Sequence, residues 1–264
     1  MCGIFGFALR QPLVLTEVFR LLEKLEFHQY LHELNPVGGY GAGVAVLKND
    51  GSLVLEKVGK ISDSPVRSLA QMVKVAEASV LVGHVRMPSP QFMETAQFRE
   101  AAQPYVAECY NDLTIVSTHN GNVTNYREIK VGLDKAHVFE SEKIGLIDSE
   151  VIPHLFEKLL KEEAEANRAL NVLFMTLEES NSISLLQIEE KNLSLHFIHK
   201  GKTRGLTVWT NAQGEIIFCS RKEPLIEVFG SMLDESNFKE KVFISYHKDV
   251  DLQLSFPLVF RVKG

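Results

Sequence analysis

The stretch whose reading decides the fold is MCGIFGF, residues 1–7. Residues 3–9 are apolar and rich in small side chains, which predicts a buried strand. Cys2 stands directly behind the initiator methionine. A cysteine wanted only for packing can sit anywhere in a core, and taken alone Cys2 is most simply a small residue entering a strand. Its position adds a second reading. Methionine is readily removed when the next residue is small, so Cys2 is expected to become the N-terminal residue. Thiol and α-amino group then belong to the same residue. An unperturbed α-amino group has a pKa of about 8, below that of lysine, so it can be neutral at physiological pH and accept the thiol proton. Nucleophile and general base are then a single residue, as in N-terminal threonine catalysts. Gly3 would let a substrate approach the new terminus closely.

Working outward, the chain has 264 residues, 45% of them hydrophobic, enough for a sizeable core. The formal charge of -6 argues against nucleic-acid and anionic-membrane partners. Residues 3–9 are too short and lack the basic flank of a secretion signal, and no run is long enough to span a bilayer. The three cysteines, Cys2, Cys109 and Cys219, are odd in number, widely spaced and without a CxxC pair. That argues against a disulfide framework and a zinc site, and for a reducing cytoplasm.

Apolar spacing predicts a helix over 15–31, and Asn49-Asp50-Gly51 between residues 44–48 and 52–57 predicts a hairpin. A turn-rich segment is expected over 35–43, a helix over 66–76 and a strand over 79–85. That strand ends in RMPSP, where Pro88 and Pro90 stop regular structure. Residues 91–103 read as a polar loop. A strand over 113–118 is expected to end at a turn, HNGNVTN. Helices follow over 126–133, 149–163 and 165–178. Six short strands and a short helix near 224–229 complete the chain. Strand groups with helices between them predict a layered α/β or α+β domain, and a single domain over 1–264 is expected. GGYGAG lacks the spacing and flanks of a phosphate loop.

Four further places carry chemistry. Arg86, delivered to a strand end, can grip a carboxylate through two parallel hydrogen bonds, though a surface ion pair is an equal reading. Ser89 adds a hydroxyl. His84, on the same strand, reads as a packed histidine. Asn120 offers a side-chain amide and Gly121 an unobstructed backbone N–H, and two donors aimed at one point make an oxyanion hole; a plain Asn-Gly turn is the simpler alternative. Asp148 can pair with an ammonium group, and Asp148 or Ser149 can also cap the helix that follows.

MCGIFGF, GHVRMPSP (83–90), THNGNVTNY (118–126) and DSEV (148–151) together resemble the class II glutamine amidotransferase domain, an N-terminal nucleophile hydrolase glutaminase, in that family's order and with similar separations. GGYGAGVAV, QPY (103–105) and SRKEPLI (220–226) extend the resemblance over nearly the whole chain. Gly38-Gly39-Tyr40 stands where the family often has an arginine before the early glycine, and Pro88 and Pro90 suggest a stiffer loop. The resemblance implies an α+β fold, a four-layer αββα sandwich of the N-terminal nucleophile hydrolase type. It implies Cys2 as nucleophile on the side-chain amide of glutamine, with its own α-amine as base. Asn120 and Gly121 would hold the oxyanion, Arg86 the α-carboxylate with Ser89 beside it, and Asp148 the α-ammonium. A γ-glutamyl thioester would form and water would release glutamate. No metal or organic cofactor is expected for this reaction.

In well-known relatives a synthase domain consumes the ammonia, and no such segment is visible here. The expectation is therefore a glutaminase whose ammonia goes to a separate synthase or acceptor subunit, with self-association left open. Two alternatives stand beside it: a hydrolase of another γ-glutamyl amide, and a non-catalytic glutamine-sensing subunit. The intact Cys2, Asn120 and Gly121 weigh against the last.

Overall fold

The computed structural model describes residues 2–28, 39–48, 50–163, 165–189, 192–246 and 248–258. Its described residues divide into two compact units: 2–104 with 206–245, and 105–205 with 246–258.

The first unit is built around the opening strand. β1 (Gly3–Val14) is longer than residues 3–9 because Arg10, Gln11 and Pro12 do not end it. They fall where the ladder shifts register, between Ala8 opposite Val80 and Leu13 opposite Ala78 in β4 (Glu77–Val85). An irregularity of this kind is where a strand tolerates proline. The other strands are β2 (Gly41–Leu47), β3 (Leu53–Gly59), β9 (Leu206–Thr210), β10 (Ile216–Cys219) and β11 (Lys239–Ile244). The seven form an antiparallel sheet in the order β11-β9-β10-β1-β4-β2-β3, with β1 at its centre. Three helices, α1 (Leu15–Phe27), α2 (Pro65–Met72) and α6 (Lys222–Glu235), share one apolar core with it. Phe5 and Phe7 of β1, Val44 and Val46 of β2 and Leu81 of β4 point into that core by strand alternation. Gly3 has a packing reason: a Cβ there would lie 2.9 Å from Cβ of Leu25 in α1. Its small size serves the close approach of a helix, where the sequence suggested approach of a substrate.

The second unit holds β5 (Tyr105–Ala107), β6 (Leu113–Gly121), β7 (Asn181–Glu189), β8 (Asn192–Lys200) and β12 (Leu252–Leu258). They form an antiparallel five-stranded sheet, β12-β8-β7-β6-β5. Helices α3 (Tyr126–Gly132), α4 (Val151–Glu162) and α5 (Ala166–Thr176) pack on one of its faces through Ile129, Ile152, Phe156 and Leu170. Each unit thus contributes one sheet layer and one helix layer, the α+β content expected. Pro153 sits in the first turn of α4, as its sequence position requires.

The expected hairpin is present as β2 and β3, although its Asn49 lies outside the described residues, as do residues 35–38 of the turn-rich segment 35–43 and residues 29–31 of the helix expected to 31. The polar stretch 91–103 contains two 3-10 turns, Pro90–Thr95 and Arg99–Ala101. Among the described residues no helix is long and apolar enough to cross a membrane.

Candidate active site

Cys2 lies at the head of β1, one residue before Gly3, which pairs with Val85 at the end of β4. The register therefore sets Cys2 and Arg86 at matching ends of neighbouring strands. The half-buried Cys2 thiol is held by the next residue: the Met87 N–H donates to Sγ at 3.1 Å, and the thiol donates to the Met87 carbonyl at 3.2 Å. The strand behind it is fixed by Ser220. The Ile4 N–H donates to Ser220 Oγ at 3.0 Å, and the Ser220 N–H donates to the Ile4 carbonyl at 2.9 Å.

Arg86 is 4% exposed, so it is not a surface arginine. Its N–H donates to the Gly41 carbonyl at 2.7 Å. Its Nη2 donates to Thr95 Oγ1 at 3.0 Å and to the Phe92 carbonyl at 3.5 Å. The guanidinium thereby grips the 3-10 turn Pro90–Thr95, at whose head stands the half-buried Ser89. Arg86 and Ser89 are joined through this turn, a link that the Pro-Ser-Pro motif alone does not reveal. His84 is fully buried, in keeping with a packed histidine.

In the second unit the expected turn at HNG is not a turn. β6 runs on through His119, Asn120 and Gly121, which pair with Ile183, Ser182 and Asn181 of β7. Alternation sends His119 and Asn120 to opposite faces. Asn120 is 1% exposed, and neither Oδ1 nor Nδ2 has a hydrogen-bond partner among the described residues. Most buried amides are satisfied, so this one demands an explanation. Gly121 has φ 152°, and a Cβ there would lie 2.4 Å from the Ser180 carbonyl oxygen. Only glycine fits, which leaves its N–H unscreened by a side chain.

His119 is the hub on the other face. Its Nε2 is 2.7 Å from Asn181 Oδ1, while the Asn181 amide nitrogen donates to the Glu178 and Glu179 carbonyls. That fixes the Asn181 amide with its oxygen toward the ring, so Nε2 carries the proton. Nδ1 then accepts from Ser149 Oγ at 2.8 Å. Burial holds His119 below its ordinary pKa, opposed in part by the Asp148 carboxylate and the Asn181 bond, so the ring is neutral. Asp148 Oδ1 accepts the Ser149 N–H at 2.8 Å, and Oδ2 accepts the Val123 N–H at 3.0 Å, two residues beyond Gly121. A single network therefore ties Asp148 to the end of β6.

The expected helix cap is corrected here. Asp148–Glu150 is a 3-10 turn, and α4 has no side-chain hydrogen bond at its N-cap. The Asp148 carboxylate is spent on Ser149 and Val123, and Glu150 instead accepts the Ser141 N–H at 2.9 Å. Sequence reading missed Thr95, Ser149 and Asn181 as supporting residues. Ser149 had a signal in its place beside Asp148; Asn181 had none.

The first unit thus presents a thiol on a strand end and a buried arginine at the matching end of the neighbouring strand. The second presents a buried amide with no partner among the described residues, a glycine whose conformation excludes a side chain, and a buried carboxylate. No family model matches the chain. It is 26% identical over 255 residues to the glutamine–fructose-6-phosphate aminotransferase [isomerizing] of Sulfolobus acidocaldarius, covering 95% of this chain and 35% of that protein. With the enzyme of the same name from Geobacillus kaustophilus the identity is 30% over 193 residues, 73% of this chain and 28% of the relative. The chain therefore spans about a third or less of these curated relatives. Among solved structures, the glutamine phosphoribosylpyrophosphate amidotransferase from B. subtilis, complexed with ADP and GMP, matches 99% of this chain and 49% of its own with a TM-score of 0.58 at 17% identity, which speaks for the fold. Sequence relatives and fold converge with the residues quoted above: the chain belongs to the class II glutamine amidotransferase domains, on the N-terminal nucleophile hydrolase fold.

Proposed function

We propose that this chain hydrolyses the side-chain amide of glutamine to glutamate and ammonia through a Cys2 γ-glutamyl thioester. The observation that carries the reading is the placement of Cys2: its sulfur sits at a strand end, clamped by the Met87 main chain, one residue past the buried Arg86. Removal of Met1 frees the Cys2 α-amine, which takes the thiol proton. The thiolate attacks the amide carbon, and the charge moves to the amide oxygen. Asn120 Nδ2 and the Gly121 N–H donate to that oxyanion. The proton held by the α-amine passes to the leaving nitrogen, and ammonia departs. Water, deprotonated by the same amine, attacks the thioester, and glutamate and the thiol are restored. Arg86 binds the α-carboxylate with Ser89 beside it, and Asp148 binds the α-ammonium.

We further infer that the ammonia is consumed by a synthase or acceptor outside these 264 residues, as a separate subunit, and that the reaction runs in the cytoplasm. The three free cysteines support a reducing compartment. Intact mass before and after treatment with 6-diazo-5-oxo-norleucine tests the reading, with Cys2→Ala as control. The expected result is a mass lacking Met1 and one adduct that the control does not take up, together with slow ammonia release from glutamine. Retained Met1, or labelling that ignores Cys2, overturns it. Ammonia release from γ-glutamyl amides but not from glutamine would transfer the same machinery to another substrate.

A further inference from the structure

Away from these residues, the second unit gathers four side chains whose chemistry the amidase reaction does not use. Cys109 follows β5, His137 lies between α3 and α4, and His154 and Glu157 share a face of α4 at i and i+3. One ligand-type atom from each lies within 4.8 Å of all the others. Cys109 Sγ is 3.4 Å from His154 Nδ1, the two imidazole Nδ1 atoms are 3.2 Å apart, and His137 Nδ1 is 3.5 Å from Glu157 Oε2. His137 is 7% exposed, His154 1% and Glu157 not at all.

We propose that Cys109, His137, His154 and Glu157 form a structural zinc site. Tetrahedral zinc, with bonds of about 2.3 Å to sulfur and about 2.0–2.2 Å to nitrogen or oxygen, sets its ligand atoms roughly 3.3–3.6 Å apart, close to the three separations given above, with the remaining pairs within 4.8 Å. Charge points the same way. Glu157 is a fully buried carboxylate whose Oε2 has no hydrogen-bond partner among the described residues, while Oε1 accepts the Cys109 and Tyr110 N–H groups at 2.6 and 3.1 Å. A buried carboxylate needs a positive counterpart. Zinc bound to one thiolate, one carboxylate and two neutral imidazoles makes a site of net charge zero, and the thiol proton leaves to solvent on binding. His137 also has the outer partners of a zinc-bound histidine, since its Nε2 is 3.4 Å from the Tyr110 hydroxyl, which donates to Asp134 at 2.8 Å. Four protein ligands close the coordination shell, which marks a structural rather than a catalytic ion. The ion would fasten the β5–β6 turn and the segment around His137 to α4, the helix that begins directly after Asp148–Glu150.

The test uses the full chain, free of any histidine tag. Elemental analysis is expected to find about one zinc per chain after dialysis. The metal-free protein titrated with Co2+ is expected to develop intense four-coordinate visible bands and a thiolate-to-cobalt charge-transfer band. That band should survive Cys2→Ala and vanish in Cys109→Ser. Substoichiometric zinc with a weak six-coordinate cobalt spectrum overturns the proposal, as does a band lost with Cys2 and kept without Cys109. Should Cys109→Ser fail to fold, the wild-type protein decides: zinc is expected to slow iodoacetamide alkylation of Cys109 at least tenfold, and equal rates with and without zinc overturn the site.

Discussion

Asn120 carries an amide that is 1% exposed and hydrogen-bonded to nothing among the described residues. Such burial costs on the order of 1–3 kcal/mol, and a fold retains it only where the group is needed for something else. If that need is the oxyanion, Asn120→Ala should lower kcat for glutamine by roughly 10²–10³-fold, the range for loss of one oxyanion donor. The same substitution should leave thermal stability unchanged or raise it slightly, since no protein hydrogen bond is lost. Ammonia release and a melting curve on one preparation check both halves; a large fall in Tm with little change in kcat would make Asn120 structural. Gly121 makes the opposite case. Its φ of 152°, and the Ser180 carbonyl oxygen 2.4 Å from where a Cβ would stand, leave no room for alanine. Gly121→Ala should therefore destabilise the protein by more than about 1 kcal/mol and lose activity with it. Ser149 acts through others: Ser149→Ala removes the hydroxyl that lies 2.8 Å from His119 Nδ1 and 3.3 Å from Asp148 Oδ1, while the backbone N–H bond to Asp148 stays. The expected signature is a raised KM for glutamine with a smaller change in kcat, and a purely structural role would not split the two parameters in that way.

At the scale of elements, the head of β1 is the one on which the proposed chemistry depends. It is held by α1 packed against Gly3, by β4 and β10 on either side, and by the reciprocal pair between Ile4 and Ser220. Ser220→Ala leaves the buried Ile4 N–H without its side-chain acceptor, a loss of about 1–3 kcal/mol in urea unfolding. Because Cys2 is two residues away, labelling of Cys2 by the glutamine analogue should slow as well; unchanged labelling would show that the clamp from Met87 suffices alone. Legibility in the sequence follows the same divide between local and distant causes. Most strands and the spans of α3, α4 and α5 can be read from alternation and helical spacing, because those signals lie within the element itself. β6 outruns its sequence signal, since Asn120-Gly121 is ordinary turn chemistry and only its pairing with Ser182 and Asn181 of β7 overrides that preference. α6 is longer than the short helix expected, because Pro224, Leu225, Phe229 and Leu233 keep one buried face along its 14 residues. Cys2, Arg86, Asn120 and Asp148 are legible because each stands in a short recognisable run. The partners that hold them are not: His119 reaches Ser149 and Asn181 across 30 and 62 positions. The four proposed zinc ligands lie on three separate segments, so the lack of a CxxC pair says little about the ligand set that folding can assemble.

Over the whole molecule, the buried histidines set how stability answers to acid. His196 in β8 is 1% exposed, with Nε2 2.9 Å from Gln187 Oε1 and Nδ1 2.9 Å from the Ser255 hydroxyl, partners that satisfy a neutral ring. Burial lowers its pKa to about 4, against an ordinary value near 6.5. The unfolded chain therefore takes up a proton on His196 in a range where the folded chain does not. Stability rises with pH wherever the unfolded state binds more protons, so this group removes stability as pH falls from about 6.5 toward about 4. Each pH unit in that window is worth about 1.4 kcal/mol, and the whole window on the order of 3 kcal/mol. His119 is lowered for the same reason and adds to the loss. Urea unfolding at several pH values from neutral down to about 4.5 should show stability falling below about pH 6.5. His196→Gln, which cannot take up the proton in either state, should flatten that fall by about one proton. Since every other titrating group is common to both proteins, the difference between the two curves isolates His196. Parallel curves would mean that the ring is protonated in the folded state and that the Gln187 and Ser255 contacts rearrange to receive it.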